Sequence, residues 1–269
     1  WGNSLPAAGP STRFTVDASG GKSGAYIFVD NGSPGTAADG SLEHPFTTLS
    51  AAVAASGFNA GDTIIVKPGT YEENVTLKSG TILVGDAGAA DTVLIGATSV
   101  VPVLTLAQGC EVNGLTISGI GSGIGVDAPE GTNSVMTNCV IRGASTGVLV
   151  EAQALLAFMN NTVYGNSDYG VQAVADATLE PFKNNIVSAN GVGLSAEGAT
   201  VASNGFNCYG DNSADAEGAN LATTDFFASP GFADETGGTL ELAPDSPCIN
   251  AGEGRATVGA DDGTVAFVK

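Results

Sequence analysis

The chain has 269 residues, enough for one elongated domain or two compact ones, and 43% of them are hydrophobic, which excludes a disordered chain. Asp and Glu number 28 against 8 Lys and Arg, and the net charge of −20 repels nucleic acid, anionic membranes and any polyanionic glycan that no cation bridges. No run of 18 apolar residues occurs, so no membrane span is expected, and 39 Gly among few long charged side chains suit a fold of narrow turns.

Residues 1–24 are polar and rich in Gly, Ser and Pro, and read as an N-terminal extension. Within them Arg13–Asp17 has a strand pattern, which makes Phe14 and Val16 candidates for adding to the sheet edge of a neighbouring subunit. The chain opens at Trp1 with no charged stretch leading into an apolar one, which reads as a processed protein that is secreted or held at the cell surface.

Residues 25–60 hold a first strand, Tyr26–Asp30, and the one good helical pattern, residues 47–56, with Thr47 or Thr48 as cap and Gly57 as stop. A stack of coils exposes core and unpaired strand edges at its ends, so this short apolar helix reads as an N-terminal cap.

Residues 61–209 read as coils. Gly61–Thr70, Thr81–Val84, Val93–Ile95 and Val103–Leu106 lead into four stretches that open at Asn113, Asn138, Asn161 and Asn185, with steps of 25, 23 and 24 residues. A Gly follows each Asn after about ten residues (Gly123, Gly147, Gly170 and Gly191) and opens a short apolar run. A period in the low twenties with crowded β-branched residues marks a solenoid of strands, stacked at about 4.8 Å. The four Asn are expected to form a structural ladder, hydrogen-bonded to one another and to the turn backbone.

Residues 210–269 read as an acidic loop followed by a C-terminal cap in which Phe226, Phe227, Phe232, Leu240 and Leu242 return apolar mass. Asp211, Asp215 and Glu217 sit at near-alternate positions, as the oxygen ligands of a calcium loop do, but without the full EF-hand spacing; solvated carboxylates are the competing reading. Of the four Cys, Cys208 and Cys248 both fall after the clear repeats, where a disulfide would staple a loop-rich end. Cys110 and Cys139 lie at different offsets within their coils and read as buried thiols.

His44–Val53 with Gly61–Val75, and the closing Ser229–Phe232 with Leu242–Gly252, resemble the two ends of proteins in the pectin-lyase-like superfamily of right-handed parallel β-helices, across roughly residues 26–252. The resemblance implies an all-β right-handed parallel β-helix with N- and C-terminal caps. It does not imply one function, because lyases, glycosidases, epimerases, tailspikes and non-enzymatic surface proteins share that architecture.

Aligned on their Gly residues, Asp127 falls level with Glu151, and Asp176 with Glu197. Two carboxylates on adjacent coils suit a retaining glycosidase, or a cation held between them, while solvated turn residues are the alternative. A polysaccharide lyase needs a base, and the middle coils offer only Arg142 and Lys183, on different parts of the coil. His44, the sole His, precedes Pro45 ahead of the helix.

Two functional readings stand. The first is a non-catalytic extracellular structural protein that self-associates end to end, in the limit as filaments. The second is a carbohydrate-active enzyme or carbohydrate-binding module that meets polysaccharide on a coil face, with Tyr164 and Tyr169 as the aromatic platforms. No cofactor is called for beyond Ca²⁺ at the weak acidic loop.

Overall fold

The computed structural model describes residues 26–55, 62–202, 205–234 and 239–260. Phe14 and Val16 therefore lie outside the described residues.

The chain winds into three parallel sheets of eight, eight and seven strands, each coil giving one strand to each sheet in turn. In one middle coil these are Asn133–Thr137 in the first sheet, Val140–Arg142 in the second and Thr146–Val150 in the third. Each pairs with its counterparts one coil before and one coil after. The architecture is a parallel β-solenoid, as the period required.

The interior is a set of stacked rows. On the third sheet Leu104, Val126, Val148, Val171 and Leu194 are in register and buried. On the first, Met136, Phe158 and Phe182 continue the row of Leu83 and Val112, and the two Phe rings stack at 5.9 Å. Like side chains packed on like side chains at each rung give one continuous apolar core.

The helix Leu49–Ala54 covers the first coils, burying Leu49, Ala52 and Val53. Thr48 is its cap, with Oγ1 accepting from the Ala51 N–H at 3.2 Å. Two further first-turn N–H groups, of Leu49 and Ser50, donate to the Glu73 carboxylate from the first coil, at 2.7 and 2.9 Å. An anion from the solenoid thus satisfies the orphan donors of the cap.

The coils run further than the sequence suggested. Residues 210–220, expected as an acidic loop, contain the rung Ala214–Glu217 of the third sheet, and Phe226–Phe227 is the last rung of the second. Ala219 and Leu221 pack against the main core at the last coil, and the described residues from Phe232 onward form a strap. It lies along the outer face of the second sheet, where Phe232, Cys248 and Val258 bury Ile186 and Cys208. Its backbone is pinned there by Gly259 N–H to Asn184 O at 2.8 Å and Ala260 N–H to Thr162 Oγ1 at 3.0 Å. Lys183 forms an ion pair with Glu253 of the same strap, which accounts for one of the two basic groups of the middle coils.

Candidate functional site

Two corners of each coil are tight, and both are built the same way. At the corner between first and second sheets, Gly114, Asn138, Asn160 and Asn184 all take a left-handed conformation, φ between 53° and 70°. Gly and Asn tolerate that region best. The next residue turns inward. Asn161 is fully buried: its Oδ1 accepts from the Cys139 N–H at 2.9 Å and its Nδ2 donates to Met136 O at 3.0 Å. Asn185 repeats this one coil later and Asn207 the coil after that. The ladder ends at Asp225, whose Oδ1 accepts both N–H donors of Asn207.

Of the four Asn expected in one ladder, the structure therefore places Asn161 and Asn185 in it. Asn138 makes the left-handed turn instead, one residue before the ladder position, which Cys139 occupies. Asn113 lies in a first-sheet strand and donates to Thr137 Oγ1 at 2.7 Å. Asn207 was missed, although its spacing of 22 from Asn185 repeats the period.

A second ladder, also missed, stands at the corner between second and third sheets. Asn166, Asn190 and Asn212 pass hydrogen bonds along it, and Asn212 donates to Asp215 Oδ1 at 3.1 Å. This ladder explains the glycines. A Cβ on Gly147 would meet Asn166 Nδ2 at 2.7 Å, and one on Gly170 would meet Asn190 Nδ2 at 2.9 Å. The true glycine column is Gly125, Gly147, Gly170 and Gly193, set by the register Ile124–Thr146–Tyr169–Val192.

That register moves the carboxylate pairs. Asp127 is level with Thr105 and Leu149, not with Glu151. Glu151 sits beyond the strand, where its Oε2 accepts the Glu130 N–H at 3.1 Å. The two are still near enough to interact. Asp127 is half-buried and its pKa is pushed up from 3.8 to about 6, first by desolvation and then by the Glu151 charge. One of its carboxylate oxygens is buried with no hydrogen-bond partner in the protein. Asp176 and Glu197 are both exposed, and Asp176 is level with Gly198, to whose carbonyl it donates. It takes a left-handed turn conformation, φ 67°.

The three calcium-loop candidates serve the coil instead. Asp211 is a left-handed turn residue, Asp215 terminates the second ladder and Glu217 is exposed on the third sheet. Among the described residues no group of three or more His, Cys, Asp or Glu could hold a metal ion. Cys110, Cys139, Cys208 and Cys248 are all free and buried. Burial raises the thiol pKa of Cys110 and pushes that of Cys139 up to about 12.

The outer face of the third sheet carries two columns. One is polar for most of its length: Thr76, Thr105, Asp127, Leu149, Gln172, Ser195 and Glu217, each in register with the next. The other, Ile124, Thr146, Tyr169 and Val192, is mostly apolar, and Tyr169 is half-buried within it. Beside it lies a shallow depression of about 320 Å³ along the corner, floored by Gly121, Gly143 and Gly165. Ser145 Oγ donates to Asp168 Oδ2 across it at 2.6 Å. Tyr164, the other expected platform, is taken: it packs edge-on against Phe232 of the C-terminal strap. Arg142 lies on the second sheet between Ser118 and Tyr164, and His44 is exposed in a turn before the cap helix.

The chain matches the family described as a right handed beta helix region over residues 59–190 and again over 93–225. Among solved structures it is similar to pectate lyase Pel9A, at 16% identity and a TM-score of 0.45, covering 90% of this chain and 97% of that one. It is also similar to a pectin methylesterase in complex with a hexasaccharide, at 12% identity and a TM-score of 0.36, covering 68% of this chain and 70% of that one. The pectin methylesterase from carrot is similar at 13% identity and a TM-score of 0.35, covering 80% and 91%. No curated protein is significantly similar to the chain in sequence. No helix among the described residues is long and apolar enough to cross a membrane.

Proposed function

The chain belongs to the family of right-handed β-helix regions, and from that premise we propose that it is a non-catalytic surface rod that holds a neutral polysaccharide along its third sheet. The observation that carries this reading is the paired columns of that face: a polar row centred on Asp127 beside an apolar row that contains Tyr169. Sugars present hydroxyls at their edges and C–H groups on their faces, so a polar column beside an apolar one meets both. Rungs repeat at about 4.8 Å, on the order of one sugar unit, so a linear glycan would meet similar spacing at each coil. A net charge of −20 favours neutral glycans over polyuronates.

Holding rather than cleaving is supported by register: the neighbours of Asp127 are Thr105 and Leu149, and Glu151 is engaged with the Glu130 N–H. An extracellular location belongs to the same proposal, because that is where such glycans are met. End-to-end self-association draws support from the last rung of the second sheet, where Phe227 is 60% exposed.

The test is affinity electrophoresis through gels containing neutral or acidic polysaccharides. Neutral glycans should retard the protein, and Tyr169→Ala should weaken that retardation about tenfold, with Asp127→Asn weakening it less. Retardation by polyuronates alone would overturn the proposal. The catalytic alternative is favoured by one observation, the raised pKa of Asp127 beside Glu151, which is what a general acid requires. Reducing ends released by the wild type and lost in Asp127→Asn would establish it instead.

A further inference from the structure

The C-terminal strap is attached to the rod by a small contact. Its apolar share is a cluster separate from the main core: Phe232, Cys248 and Val258 on the strap, Ile186 and Cys208 on the rod. Cys208 opens a strand of the second sheet and its thiol faces the strap, with Sγ donating to Ala228 O at 3.3 Å. Cys248 lies in the turn after the strap hairpin, its N–H donating to Ser246 Oγ at 3.1 Å. Both side chains are fully buried in that one small cluster, one on each side of the interface. Two thiols brought together across an interface are placed for covalent closure.

We propose that Cys208 and Cys248 form a reversible disulfide that locks the strap onto the last coils. In the step, taken during folding before the strap docks, the thiolate of one cysteine attacks a small-molecule disulfide such as oxidised glutathione. The mixed disulfide is then resolved by the other thiolate. One S–S bond forms within the protein, one breaks in the oxidant, and two electrons and two protons leave the cysteines for two released glutathione thiols. The other two cysteines are not alternatives. Cys110 and Cys139 bond to backbone carbonyls at opposite ends of first-sheet strands.

The lock fixes the strap that covers Tyr164 and anchors Lys183, so its redox state sets how firmly that flank of the rod is held. The experiment refolds the full chain in glutathione redox buffer and maps disulfides by non-reducing peptide mass spectrometry. A Cys208–Cys248 cross-link, with Cys110 and Cys139 left free, is the expected result. Four free thiols, stable glutathione adducts on either cysteine, or a bridge to Cys110 or Cys139 would overturn the proposal. The oxidised protein should also melt roughly 10 °C above the reduced one, and trypsin should cut after the exposed Arg255 severalfold more slowly. Equal melting and equal cutting in both redox states would show that the bond locks nothing. Cys208→Ser and Cys248→Ser should each abolish the redox response. Should either fail to fold, the oxidised and reduced wild type decide the matter between them.

Discussion

The inner corner and the outer face of the same coils obey the same register, yet only one of them repeats its chemistry. Along the corner, Asn161, Asn185 and Asn207 are buried and identical, and Asp225 closes the row. Along the third-sheet face, Thr105, Asp127, Leu149, Gln172 and Ser195 are equally well aligned, and no two are alike. The difference is water. At the corner each side chain must accept an N–H from the previous coil and donate to two carbonyl-type acceptors, which few side chains but Asn can do. The direction of donation then dictates the end of the ladder: the last member needs only to accept, so it is Asp. On the outer face solvent satisfies whatever is placed there, so the period enforces spacing and leaves identity free. Specialised function can be written only in the second kind of row.

The sharpest way to break this comparison is to remove one ladder rung. Asn185→Ala removes the side-chain partner of the Asn161 N–H and of the Phe158 carbonyl, and leaves Asn207 Oδ1 with the backbone N–H of residue 185 alone. At about 1–3 kcal/mol for each buried orphan, the expected loss is about 4 kcal/mol. Gln172→Ala, one sheet away on the outer row, should change stability by less than about 0.5 kcal/mol. Urea denaturation of both variants checks this. Similar losses for the two would mean that the ladder is not what holds the corner.

A glycine pair sharpens the same point. Gly170 lies under the second ladder, and a Cβ there would come within 2.7 Å of Gly193 O and 2.9 Å of Asn190 Nδ2. Gly165, on the surface at φ 65°, has open space around it. Gly170→Ala should cost about 2–3 kcal/mol by overpacking, and Gly165→Ala about 1 kcal/mol by left-handed strain alone. If Gly165→Ala proved the costlier in thermal melts, the column would be a matter of turn conformation rather than of room for Asn.

This contrast also explains what was legible in the sequence. The solenoid was, because its period is imposed by backbone stacking and shows through any composition. The cap helix was, to within one residue of its cap, because capping is local; of Thr47 and Thr48 it is Thr48 that caps. The ladder was legible only in part. Asn-Asn at 160–161 and 184–185 offers two residues for two roles, and nothing local says which makes the turn and which faces in. The carboxylate pairing went astray for a related reason: Gly123 and Gly191 look like Gly147 and Gly170, but register aligns Gly125 and Gly193 with them. A two-residue error in one alignment moves Glu151 off the level of Asp127. The rungs at 214–217 and 226–227 were hidden because their outward residues are acidic or aromatic, and pairing is a property of the neighbouring coil rather than of the strand itself.

The smallest expected effect concerns the one outer residue that behaves partly like an inner one. Asp127 takes a proton more tightly when folded, about 6 against 3.8, so its charge is a cost to the folded state that is complete above about pH 6. As pH falls through 6 the carboxyl protonates in the folded protein first, and the cost fades until it is absent below 3.8. Because the side chain is half-exposed and screened, about 1 kcal/mol is the fair size for it. Asp127→Asn should therefore be more stable than the wild type by about that much at pH 7, and the gap should narrow through pH 6 and close only below 3.8. Charges elsewhere in this acidic chain titrate alike in both proteins and cancel in the difference. Glu151→Gln should close a minor part of the gap at neutral pH, since desolvation outranks the Glu151 charge among the causes. A stability difference that stays constant across the range would mean that Asp127 is as well solvated as Gln172 or Ser195. It would then be an ordinary member of its row, with nothing to single it out on that face.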